Sequence, residues 1–135
     1  MTLEAASASR QISRGRIMTL VGVVSLIVLY VMALQLTPTE RFQGLAQKIF
    51  YIHPPAAYAM QMAFIFTGIA SLLYLLLHDA RFDVFAEASA EVGMMFGIIV
   101  VITGPIWGRP VWGTWWEWEP RLTFTVMEIV LFGGY

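Results

Sequence analysis

The sequence contains no cysteine, which excludes disulfide frameworks, thiolate metal sites and cysteine nucleophiles together. Charge is nearly as scarce: 13% of the 135 residues are Asp, Glu, Lys or Arg, with a net charge of -1. The eight basic residues are scattered, and without a basic stripe no nucleic-acid partner is predicted. His, carboxylates and Met remain as possible ligands. What fills the chain instead is apolar. Hydrophobic residues make up 59% and the mean hydropathy is +0.71, outside the usage of a soluble domain.

The apolar residues fall into runs. Residues 1–16 form a short basic leader ending in Arg10, Arg14 and Arg16, predicted to be flexible and cytoplasmic. Residues 17–36 then carry no charge, and a spanning helix needs about 20 such residues. A secretory signal peptide is the competing reading, but its apolar region would be shorter and followed by small residues. Gln35, Leu36, Thr37 and Pro38 offer no such cleavage site. A second uncharged run, residues 54–77, opens with Pro54 and Pro55, which suit a first helical turn because the missing amide hydrogens cost nothing there. The link before it, residues 37–53, holds Glu40, Arg41 and Lys48, with an interfacial amphipathic turn predicted across Leu45, Ile49 and Phe50.

Residues 78–91 contain His78, Asp79, Arg81, Asp83, Glu87 and Glu91 and are predicted to be an aqueous turn. The next apolar run, residues 92–106, is short, and extending it to 90–107 gives a third span. A fourth run, residues 124–135, covers only part of a span. The expected fold is all-α: a polytopic transmembrane helix bundle with three full spans and a truncated fourth. The basic flank of the first span predicts an inside amino terminus. Two crossings separate residue 53 from the segment 107–118, so His53 shares a face with that segment in either orientation, and His78 lies on the opposite face.

His53 precedes two prolines, which places its imidazole at a helix amino terminus. The positive end of the helix dipole disfavours imidazolium and leaves a neutral ring able to bind a metal; a surface histidine at a membrane boundary is the plain alternative. All five tryptophans, Trp107, Trp112, Trp115, Trp116 and Trp118, fall within twelve residues. An aromatic belt at headgroup level accounts for one or two. Five, interleaved with charge, read as a platform on which a flat apolar ligand stacks. Heme fits such a platform, and Arg109 and Arg121, which bracket the tryptophans, are natural partners for its propionates. Each arginine could equally snorkel to headgroup phosphate. Glu117 and Glu119 carry no catalytic argument; for both, a solvated loop or a salt bridge to Arg121 is expected. Glu128 stands in the last apolar run, where a charge is costly. The methionines, Met94 and Met95 among them, are expected to fill the core.

Three strings carry a resemblance: KIFYIHPPAAY (residues 48–58), ITGPIWGRPVWG (102–113) and WGTWWEWEPRLT (112–123). They resemble the histidine motif and the tryptophan-rich (WWD) signature of the heme-handling proteins of c-type cytochrome maturation, most closely the heme exporter protein C (CcmC) branch. That resemblance implies heme b held on the periplasmic face of the bacterial inner membrane, with axial histidines from separate external loops. It also implies delivery to a membrane-anchored heme chaperone, beside ABC-type transporter subunits, without covalent chemistry by the chain itself. On this analogy His53 is an axial ligand, and Trp107, Arg109, Trp112, Trp115, Trp116, Trp118, Glu119 and Arg121 form the platform. The signature's Asp is Glu119 here, and the chain stops before the loop where a second histidine is expected. The resemblance therefore predicts a one-histidine site on a fragment, a split-gene product or the partner of a second chain. Two other classes compete: a component of a cytochrome c heme lyase, and a membrane fragment that binds no heme.

Overall fold

The computed structural model describes residues 3–135, with side chains described from Ser13 onward. Met1, Thr2 and the side chain of Arg10 in the basic leader lie outside the described residues. The chain divides into two units, Met1–Pro38 and Thr39–Tyr135. Among the described residues no strand forms, and three helical stretches are long and apolar enough to cross a membrane: Ser13–Gln35, Leu45–Leu77 and Ala80–Trp112.

The first unit is one helix, α1 (Leu3–Gln35, 33 residues). The leader, expected to be flexible, is helical from Leu3. Once a long helix is nucleated, extending it through residues such as Ala, Glu, Gln and Arg is cheap. Pro38 stops it, because proline pushes the residue before it out of helical geometry; the Thr37 hydroxyl folds back to the Ala33 carbonyl. No side chain of α1 from Ser13 onward is buried, and residues as apolar as Met18 and Leu20 are among the exposed. A helix apolar on every side is at home in lipid, where its backbone groups are satisfied internally.

The second unit begins with a short 3-10 helix, Leu45–Tyr51, at the place of the predicted amphipathic turn. Next come α2 (His53–Leu77), α3 (Ala80–Trp112) and α4 (Pro120–Gly133). Helix α2 starts one residue earlier than the uncharged run and ends at His78, whose left-handed φ of 54° lets its amide close on the Tyr74 carbonyl at 2.8 Å.

The turn between α2 and α3 is only His78 and Asp79, so the aqueous link predicted over residues 78–91 is helical from Ala80. The reason is a cap. The Asp79 carboxylate accepts from the Arg81 amide at 3.0 Å and pairs with the Arg81 guanidinium at 2.7 Å, satisfying a donor that helix starts leave open. Arg81 also holds the Asp79 carboxyl below the usual carboxylate range. Asp83, Glu87 and Glu91 follow at intervals of one turn and are exposed, so solvation and helix coexist. At 1.5 Å per residue the 33 residues of α3 reach about 50 Å, against about 30 Å of hydrocarbon. The length that seemed short at residues 92–106 is made up because the helix continues to Trp112.

Helix α3 turns a column of small residues inward: Ala86, Ala90, Gly93, Gly97, Val100 and Gly108 are buried. Their spacing of three or four up to Val100, and of eight from there to Gly108, keeps them on one face. The facing column on α2 is Ala56, Met60, Ala63, Phe64, Thr67 and Ala70. Lipid removes the hydrophobic drive between helices, so close backbone approach and van der Waals contact hold them. A Cβ on Gly93 would collide with the Phe64 ring, and one on Gly97 would stand 3.1 Å from Ile129 of α4. Phe64 in turn stacks on Phe132 of α4, with ring centroids 3.9 Å apart. The three helices thus meet around Met60, Phe64 and Val100.

Candidate functional site

The tryptophan segment is built from three pieces of backbone. Trp107 and Trp112 ride on the last turns of α3, residues 113–119 form a loop, and α4 resumes at Pro120. The external loop expected over residues 107–123 is therefore seven residues long. Gly113 makes the exit possible: its φ of 84° is left-handed, and its amide closes α3 on the Arg109 carbonyl at 3.0 Å, a conformation that glycine adopts without Cβ strain. The Arg109 guanidinium donates to the Gly113 carbonyl and lies 5.9 Å from the centre of the Trp115 ring, bracing the turn from outside.

His53, the first residue of α2, meets this segment from the neighbouring helix. Its Nδ1 lies 3.0 Å from Thr103 Oγ1, and its ring is 6.0 Å from that of Trp107 at a 30° tilt. Trp107 is anchored in turn: its indole donates to Gln43 Oε1 at 3.2 Å, and it packs against Phe50 and edge-on to Trp112. The shared face inferred from two crossings is present in the packing. His78 sits at the other end of α2, 25 residues away, about 37 Å along the axis.

Between these elements lies a cavity of about 660 Å³, within the range of about 300–1,000 Å³ typical of sites for drug-sized ligands. His53, Met60 and Gln61 line it from α2, and Gly104, Pro105, Trp107 and Trp112 from α3. Trp115, Trp116 and Glu119 close the loop side, and Arg121, Leu122 and Thr125 of α4 complete the wall. The structure gathers seven of the nine predicted site residues here: His53, Trp107, Trp112, Trp115, Trp116, Glu119 and Arg121. Arg109 and Trp118 lie off the wall. Trp118 is 73% exposed and touches Trp116 edge-on at 5.6 Å.

The charges are already partnered. Arg121 pairs with Glu119 and stands 5.3 Å from the centre of the Trp112 ring, while Glu117 accepts from the Thr114 hydroxyl at 3.1 Å. One donor is not: the Trp116 indole N–H is buried without an acceptor among the described residues. A buried unpaired donor costs about 1–3 kcal/mol, and an acceptor brought by a ligand would relieve it. Glu128 receives a hydrogen bond from Gln61 at 3.0 Å across α2 and α4, so its partner is another chain segment.

Sequence reasoning missed several residues. Gln61 was legible as a polar residue in an uncharged run. Gln43 and Thr103 were not, because their partners stand 64 and 50 residues away. Gly104 carries its meaning only in packing: a Cβ there would lie 3.2 Å from His53 Cε1. Among the described residues no cluster of three or more His, Cys, Asp or Glu side chains forms a metal site. His53 is the one imidazole on the cavity wall.

A bundle of spanning-length helices with an imidazole, four indoles and a guanidinium around one cavity defines a multi-pass membrane protein with an aromatic-walled cavity. Residues 3–135 match the family model of CcmC, heme exporter protein C, and the chain belongs to that family. The heme exporter protein C of Paracoccus denitrificans is 40% identical over 100 residues, which cover 74% of this chain and 42% of that relative. That of Escherichia coli K12 is 31% identical over 117 residues, covering 87% and 48%. A ccmC-like mitochondrial protein of Marchantia polymorpha, named for cytochrome c biosynthesis, is 33% identical over 103 residues, covering 76% and 45%. In each case the aligned region is less than half the length of the relative.

Proposed function

We propose that this chain binds heme b in the cavity and presents it for delivery during c-type cytochrome maturation. The observation that carries the reading is the meeting of His53 with Trp107, Trp112, Trp115 and Trp116 around one cavity. The residues fit the ligand. Indole faces offer stacking area for an apolar macrocycle, Arg121 and the unpaired Trp116 N–H are donors for propionate oxygens, and His53 offers a ring nitrogen for iron. Arg121 would share its charge between Glu119 and a propionate, while Arg109 acts as the brace of the loop. Family membership supports transport as the role: the relatives are named heme exporter proteins.

In this reading the protein lies in the bacterial inner membrane with the tryptophan loop facing the periplasm. It hands heme to a membrane-anchored chaperone and works beside ABC-type transporter subunits. The chain forms no covalent bond to its cargo. His53 ligates, the tryptophans hold the ring and exclude water, and the donors on α4 and the loop orient the anionic edge.

The test is a hemin titration of the detergent-purified chain, followed by absorption. The native chain is expected to give a saturable Soret band. His53→Ala should shift that band, and joint replacement of Trp112, Trp115 and Trp116 by Ala should weaken binding. Association no better than with an unrelated membrane protein would overturn the proposal.

A further inference from the structure

We infer that Thr103 fixes the His53 ring as its Nδ1–H tautomer, which leaves Nε2 with a free lone pair for a metal. The geometry stands by itself; the purpose assigned to it rests on the heme reading above.

The position of one proton decides the tautomer. Thr103 Oγ1 lies 2.6 Å from the Ile99 carbonyl oxygen and 3.0 Å from His53 Nδ1. A hydroxyl has a single hydrogen and two lone pairs. A carbonyl oxygen has none to give, and two oxygens at 2.6 Å with only lone pairs between them repel, whereas that separation is ordinary for O–H···O. Thr103 therefore donates to Ile99, the back-bond to residue i−4 that threonine makes readily in helices. What it presents to His53 is a lone pair, so Nδ1 must carry the hydrogen. In a neutral imidazole one nitrogen is the donor and the other the acceptor, and Nε2 is the acceptor.

The surroundings keep the ring in this relation. Gly104 has no Cβ, and one would stand 3.2 Å from His53 Cε1, so the imidazole lies against bare backbone. Trp107 covers another side at 6.0 Å. Among the described residues the only hydrogen bond of the His53 side chain is the one through Nδ1. Metal-binding histidines are commonly held by a bond from the second ring nitrogen, which sets both tautomer and orientation. Thr103 is a positioning residue of that kind, one turn before Trp107 on α3.

The chain has two histidines, so a His78→Ala background leaves one imidazole to observe. Long-range proton–nitrogen NMR of this protein labelled with ¹⁵N-histidine, without heme and at mildly alkaline pH, distinguishes the two nitrogens directly. Nδ1 is expected to be protonated and Nε2 bare. Thr103→Val, close in shape but without the hydroxyl, should move the ring toward the other tautomer, and Thr103→Ser should restore it. In parallel, hemin affinity should fall about 10–100-fold in Thr103→Val, the usual cost of losing such a partner, and recover in Thr103→Ser. An Nε2–H tautomer in the unsubstituted chain, or one indifferent to Thr103→Val, overturns the inference. A tautomer that shifts while hemin affinity holds overturns its purpose. If instead His53→Ala leaves hemin binding intact, the heme reading fails while the tautomer assignment stands.

Discussion

At the scale of residues, the two histidines occupy opposite ends of α2 and differ in every respect that matters. His53 is half-buried, bonded to Thr103 and packed against Trp107. His78 is exposed and serves only as a backbone hinge, at a left-handed φ of 54°. A non-glycine residue there is strained by about 1 kcal/mol or more, so His78→Gly is expected to raise stability by about 1 kcal/mol and leave hemin affinity unchanged. Thermal unfolding in detergent with and without hemin checks both halves. The division of roles was legible, because counting crossings separates the two histidines. A salt bridge to Arg121 was legible in outline, but not that Glu119 rather than Glu117 would make it. The bond from His53 to Thr103 was not, since no local pattern records a contact across 50 residues. Nor was the difference between the two arginines: Arg109 turns back to its own helix end, whereas Arg121 faces the cavity.

Among the elements, the small-residue face of α3 sets how near α2 and α4 come. Phe64 cannot retreat from a new side chain on Gly93, because its other face stacks on Phe132. Gly93→Ala is therefore expected to cost about 1–3 kcal/mol, the range for overfilling a packed site. Gly68→Ala, on the same bundle but with no heavy atom within 4 Å of the new Cβ, is the control and should be neutral or stabilising. Thermal midpoints of the two variants decide it, and equal losses in both would contradict the packing account. Uncharged runs announced α2 and the apolar part of α1, but not the helical leader before it. Helix α3 was obscured because charge at its start reads as an aqueous turn and the tryptophan-rich segment at its end reads as a loop. Asp79 supplies the cap that lets the charged turns stay helical, and membrane helices tolerate Pro105 and Pro110 where neighbours or cavities meet the freed backbone.

The second unit as a whole is polar in its organisation. One end of α2 and α3 gathers indoles, an imidazole and a cavity; the other carries Arg81, Asp83 and Glu87 on exposed positions. Helix α3 runs from one end to the other as α2 does, and its two prolines fall entirely in the cavity half. Neither has an amide hydrogen, so the Val101 and Ile106 carbonyls lose their partners four residues on. Those two gaps divide the helix in time as well as in bonding. Deuterium should enter the amides of residues 102–112 well before those of residues 86–100, because openings near a broken ladder need not wait for the packed glycine column to separate. Exchange followed by mass spectrometry would read uniform protection if that is wrong. If it is right, the wall of the cavity breathes on its own clock while the rest of α3 keeps still, and a large flat cargo has an entrance that costs the bundle none of its core.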